Sequence, residues 1–121
     1  MKAKTLGYHG ETLAAHFLRN KGYEILKNNF TVRGGEIDLV ARIRGLLIFV
    51  EVKTRTGKSF GFGDESMNRL KRMRMNRAIE RYLDETRKNE DSDYRVDLIE
   101  VELMPDSQAL KNITHLEDIE L

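Results

Sequence analysis

Apolar positions along the 121-residue chain change their period several times, and each change marks a predicted element. Over residues 5–20, Leu6, Leu13, Ala14, Phe17 and Leu18 fall on one helical stripe. Gly7 and Gly10 lie on the same side and predict close approach to a sheet, and Gly22 stops the helix. Alternating runs over 23–32, 36–43 and 46–55 read as three strands. The first two are joined by a turn at Gly34-Gly35, the last two by a short turn at Arg44-Gly45. A glycine-rich loop over 57–63 precedes a long helix over 66–88, whose core stripe is Met75, Ala78, Ile79, Tyr82 and Leu83. Residues 89–93 read as a loose loop. Residues 94–103 alternate as a strand stopped by Pro105, and 112–116 add an edge strand. The order predicts one α/β domain over residues 1–121: a mixed sheet with both helices packed beside it.

Chemistry concentrates on the 46–55 strand. Alternation places Leu47, Phe49, Glu51 and Lys53 on one face and Ile48, Val50 and Val52 on the other. A strand apolar on both faces is usually central and buried, so a carboxylate and an ammonium at its far end are partly desolvated and need partners. Asp38, on the neighbouring strand, supplies a second carboxylate. Two carboxylates converging from adjacent strands make an oxygen site suited to Mg²⁺ or Mn²⁺, with water and phosphate as the remaining ligands. A cross-strand ladder of salt bridges on a solvated face is the competing reading, and Leu47 and Phe49 on that face count against it. Glu36 shares Asp38's side by alternation and would support the ligands rather than bind the ion. His9, His16 and His115 are scattered and read as surface residues.

Composition permits a nuclease-like site without demanding one. The absence of Cys excludes a disulfide framework and a thiolate metal centre. No apolar stretch approaches a membrane span and no signal-peptide pattern opens the chain, so the expectation is a cytoplasmic protein with no membrane partner. Net charge is only +1, but residues 1–88 hold 19 Lys and Arg against 10 Asp and Glu, while residues 89–121 hold 2 against 10. Nucleic-acid binding by overall basicity therefore fails, and a local basic face remains open. On the long helix Arg69, Arg74, Arg77, Arg81 and Arg87 occupy the arc opposite the core stripe and form a candidate phosphate track; a solvated helix face is the alternative. Lys71 projects on the core side near the helix start, where it could reach the same phosphate as Lys53.

The motif Asp38, then Glu51-Val52-Lys53, resembles the PD-(D/E)xK nucleases, the restriction-endonuclease-like superfamily that includes Holliday-junction resolvases. The ordered set Gly7, Gly10-Glu11, Gly22-Tyr23, Asn29, Gly35-Glu36-Ile37-Asp38-Leu39, Phe49 through Arg55, Lys71 and Arg95-Val96-Asp97 is similar to the YraN-like family within it, across nearly the whole chain. The superfamily's proline before the first acid is Ile37 here. The resemblance implies a restriction-endonuclease-like α/β fold and a metal-dependent nuclease acting on DNA, branched structures included. Glu11, Asp38, Glu51 and Lys53 would be catalytic. Asp38, Glu51 and the Val52 backbone carbonyl would hold Mg²⁺ or Mn²⁺, with Glu11 as a further candidate ligand. Glu11 also fits an ordinary first-turn acid favoured by the helix dipole. Arg55, Lys58, Lys71, Arg74, Arg77 and Arg81 would contact nucleic acid, and Phe60 or Phe62 could insert between bases. Resolvase-like relatives act as dimers, which makes a homodimer an expectation. The alternative function is a catalytically silent nucleic-acid-binding module serving a protein partner.

Overall fold

Gly22 and the two tight turns after it lay down the first half of the molecule. In the computed structural model, which describes residues 3–56, 68–86 and 93–121, helix α1 spans Ala3–Asn20. It ends in a Schellman motif: Gly22 N–H donates to the Arg19 carbonyl and Tyr23 N–H to the Leu18 carbonyl, both at 3.0 Å, with Gly22 at φ +94°. Strands β1 (Glu24–Val32), β2 (Gly35–Ile43) and β3 (Leu46–Thr56) then form an antiparallel meander. Arg44 and Gly45 both take positive φ, the primed geometry whose twist matches a two-residue hairpin. Helix α2 (Arg69–Glu85) lies in the crossover to β4 (Tyr94–Leu103), which pairs parallel to β3; β5 (Leu110–Leu116) returns antiparallel to β4. The sheet order β1-β2-β3-β4-β5 puts β3 at its centre, as its two apolar faces require. Parts of the predicted 66–88 helix, the 57–63 loop with Lys58, Phe60 and Phe62, Arg87, and most of the 89–93 segment lie outside the described residues.

Each face of β3 is claimed by one helix. Ile48, Val50 and Val52 pack with Ala14, Ala15 and Leu18 of α1, while Leu47 and Phe49 pack with Met75, Ala78, Ile79 and Leu83 of α2. The result is an α/β architecture compatible with the restriction-endonuclease-like fold. Phe49 sits edge-on to Tyr82 and Tyr94, with ring centroids 5.5 and 5.4 Å away. Two glycines set how closely the helices approach: a Cβ on Gly10 would collide with the Thr54 side chain, and one on Gly35 with the Arg74 backbone carbonyl. Nothing lies within 4 Å of a Cβ built on Gly7, so the close approach expected of α1 belongs to Gly10 alone. No helix among the described residues is long and apolar enough to cross a membrane.

Beneath the C-terminal end of α1, a polar network takes the place of apolar packing. Asp97 is fully buried and accepts from Arg95 Nε and Nη2 at 2.8 and 2.9 Å, from His115 Nε2 at 2.7 Å and from Asp118 N–H at 3.0 Å. Those donors hold its carboxyl below the usual range against the upward pull of burial. Arg95 Nη2 also donates to the Tyr23 hydroxyl at 2.7 Å. The Lys21 ammonium lies 2.7 Å from His115 Nδ1, so Nδ1 accepts and Nε2–H donates to Asp97. His115 is thus no surface residue: its side chain is 4 % exposed, a correction to the sequence expectation.

Candidate active site

Antiparallel pairing of β2 with β3 runs from Ile43 opposite Leu46 to Leu39 opposite Val50 and stops there. The next residues along the two strands are Asp38 and Glu51. Val52 N–H, two positions past Val50 and directed to the same side, meets a side chain instead of a backbone carbonyl: it donates to Asp38 Oδ2 at 2.8 Å. Strict alternation along β2 fails here as well. Leu39 and Ala41 pack on the α1 side, but Ile37 joins Val40 on the α2 side. The strands therefore part where the acids stand, and both helices reach the opening.

From α2 comes Lys71, whose Nζ donates to Glu51 Oε1 at 3.0 Å. Its own backbone N–H is capped by the Asn68 side chain at 3.0 Å, which starts α2 beside the acids. From α1 comes Glu11, whose Oε1 is buried with no hydrogen-bond donor reaching it among the described residues. Three acids around one opening shift one another's proton affinity. Burial, then the Glu51 charge, pushes Asp38 up to about 8, against the Val52 N–H bond; Glu11 and Glu36 add smaller pushes. Burial also raises Glu51, opposed chiefly by Lys71. Glu11 is raised by burial, opposed by a hydrogen bond from Asn29. Burial, followed by Lys71 and Arg55, lowers Lys53, which Glu51 partly restores.

Chemically, Asp38 and Glu51, with the Val52 carbonyl, are the groups that could hold a hard cation such as Mg²⁺ or Mn²⁺, and two buried acids that raise each other's proton affinity would gain from sharing it. No three acidic or imidazole side chains among the described residues are gathered to hold a metal. An ion here would rest on two carboxylates, a backbone carbonyl and water. Lys71 is at present the cation on Glu51, and so belongs to the cluster rather than to the arginine arc of α2. Along that arc, Arg69 and Arg74 are exposed, Arg77 Nη1 donates to the Gly34 carbonyl at 3.5 Å, and Arg81 pairs with Glu85 at 3.4 Å. Sequence reasoning gave Asn29 no role, although its left-handed backbone (φ 54°) and its bond to Glu11 mark it as part of the site.

A protein-family model described as "Uncharacterised protein family UPF0102" matches residues 10–101. The chain is similar to a UPF0102 protein of Alkaliphilus oremlandii, 42% identical over 95% of this chain and 97% of the relative. Another from Caldanaerobacter subterraneus subsp. tengcongensis is 38% identical over 93% and 92%. A third, from Lachnoclostridium phytofermentans, is 40% identical over 93% and 94%. The matched span contains Asp38, Glu51, Lys53, Lys71 and Asp97, and the chain belongs to this UPF0102, or YraN-like, family.

Proposed function

We propose that the protein is a metal-dependent nuclease that hydrolyses phosphodiester bonds of nucleic acid, with DNA, branched structures included, as its substrate. One observation carries this reading: Asp38 and Glu51 are brought together, largely desolvated, where β2 and β3 part, with Lys53 and Lys71 beside them. Burying two acids side by side costs folding free energy and shifts their proton affinity, and sites perturbed in this way cluster where chemistry uses them. Asp38 and Glu51, with the Val52 carbonyl, would hold Mg²⁺ or Mn²⁺, whose contribution when bound is Lewis-acid activation of a phosphate oxygen and of water.

The chain's own residues do the rest. Val52 N–H fixes the Asp38 carboxylate, so the ligand is oriented before any substrate arrives. The Lys53 ammonium, its proton more loosely held than usual, faces the charge that grows on the phosphate and can orient or exchange a proton with the attacking water. Lys71 neutralises Glu51 in the resting protein, and with a cation held by Asp38 and Glu51 its ammonium would be available to a phosphate oxygen.

Incubation with labelled duplex, single-stranded, flap and four-way-junction DNA and with structured RNA, in Mg²⁺, Mn²⁺ or EDTA, tests this. Cleavage is expected only with the metal, absent in Asp38→Ala and reduced at least about 100-fold in Lys53→Ala. Cleavage that survives Asp38→Ala would sink the proposal. The Lys71–Glu51 ion pair favours a second reading, a silent module that binds nucleic acid alongside a protein partner. Retarded mobility without cutting would select it.

A further inference from the structure

Beside the acids lies a cavity that the catalytic reading does not use. Tyr8, Thr12, Ala15 and Arg19 recur along α1 at the spacing of a single helical stripe and form one wall; Asn28 and Asn29 of the edge strand β1 form the other. The space measures about 340 Å³. Between Tyr8 and Arg19 the helix advances about 16 Å, longer than one nucleobase. Glu11 also lines it, and Glu11 is close enough to Asp38 to raise its proton affinity, so the cavity and the Asp38–Glu51 cluster share that residue.

Its walls have a distinct chemistry. One aromatic ring, half exposed, offers a stacking surface; two carboxamides offer donors and acceptors side by side; one guanidinium stands at the far end. Among the described residues, Glu11 and Arg19 are the charged residues lining it, one of each sign. Such a lining suits the face and edge of a base and one phosphate, whereas a duplex backbone calls for a track of cations. Asn29 holds a left-handed backbone, and its side chain hydrogen-bonds Glu11, while Glu11 Oε1 stays buried and unpartnered among the described residues. That oxygen has no donor among the described residues, and the exposed carboxamides of Asn28 and Asn29 are the groups on this wall that can meet the edge of a base. A paired, stacked base cannot present its edge in this way.

We propose that the α1/β1 cavity receives an unpaired nucleotide of the substrate strand, its base against Tyr8 and the two asparagines and its phosphate on Arg19. This subsite directs the nuclease to single-stranded or branched positions, and it rests on the nuclease reading for its connection to cleavage. A deoxyoligonucleotide with 2-aminopurine at its centre, single-stranded or annealed to its complement, is titrated in EDTA with the native chain, Tyr8→Ala and Thr12→Trp. Thr12→Trp fills the cavity while keeping Tyr8, both asparagines and Arg19.

Fluorescence quenching of the single-stranded probe is expected with the native chain, its Kd weakened at least about fivefold in both variants while duplex affinity changes by less than about twofold. Equal losses on both probes, no quenching, or unchanged affinity in Thr12→Trp would each overturn the subsite. The two readings separate cleanly. Metal-dependent cleavage with affinities indifferent to both substitutions keeps the nuclease and removes the subsite; selective binding without cleavage in any metal does the reverse.

Discussion

In the metal-free protein at neutral pH, Asp38 keeps its proton, because its pKa stands at about 8 while an unfolded aspartate ionises near pH 4. A raised native pKa means the native state binds more protons than the unfolded one between those two values. The contribution of Asp38 to stability is therefore complete below about pH 4 and is lost as pH rises to about 8. The thermal midpoint in EDTA should fall across that window more steeply in the native chain than in Asp38→Asn, whose amide oxygen can still accept from Val52 N–H. Added Mn²⁺ should reverse the loss in the native chain at pH 8 and leave the variant unmoved; parallel profiles for the two would refute the account. Lys71 gives the complementary case. Lys71→Met strips Glu51 of its cation, so Glu51 is raised further, and the variant should trail the native chain at pH 7 but converge with it toward pH 4. The same change should relieve Lys53 of a neighbouring positive charge and draw its pKa upward, visible in the alkaline limb of a cleavage profile.

At the scale of elements, two contacts without side chains do much of the positioning. Gly35→Ala would drive a methyl into the Arg74 carbonyl, a backbone atom with little room to retreat, and should cost about 1–3 kcal/mol in denaturant unfolding. For Gly10→Ala the nearest atoms all belong to the Thr54 side chain. Its penalty should fall in a Thr54→Ala background, which removes Oγ1 and Cγ2 but leaves the Cβ 2.8 Å away, and vanish only in Thr54→Gly; strict additivity would disprove the contact. The strands, α1 and the core stripe of α2 were legible because alternation and helical period are written in consecutive residues, and Gly22 and Arg44-Gly45 announce their turns. β5 was read two residues short because its exposed positions carry little pattern. What stayed illegible needed three dimensions. The Ile37 side chain crosses to the α2 face against its period, and Lys21 meets His115 across 94 positions of chain. The identity of the acids could be read from spacing; the opening between β2 and β3 that gathers them could not.

For the whole molecule, the buried network under the end of α1 and the cluster that meets that helix at Glu11 make contrasting demands. Asp97 has four donors and no exposure, so Asp97→Ala strands several buried donors at once while Arg95 keeps Glu117 at 3.3 Å, and it should cost about 2–3 kcal/mol of stability, read from urea midpoints. A loss below about 1 kcal/mol would show that water replaces the network. The sheet's connectivity has a temporal consequence. Residues paired between β2 and β3 are at most 11 positions apart, whereas every β3–β4 pair is 47 apart. Short loops close first, so the meander assembles ahead of the parallel pairing that awaits the crossover. On an emerging chain, Asp38 and Glu51 therefore come together before Lys71 has been brought beside them. Substitutions at the Arg44-Gly45 turn should slow refolding, while those at His115 should mainly hasten unfolding. The desolvation of the two acids would thus be felt first as a cost in folding time, borne before the cation that relieves Glu51 is in place.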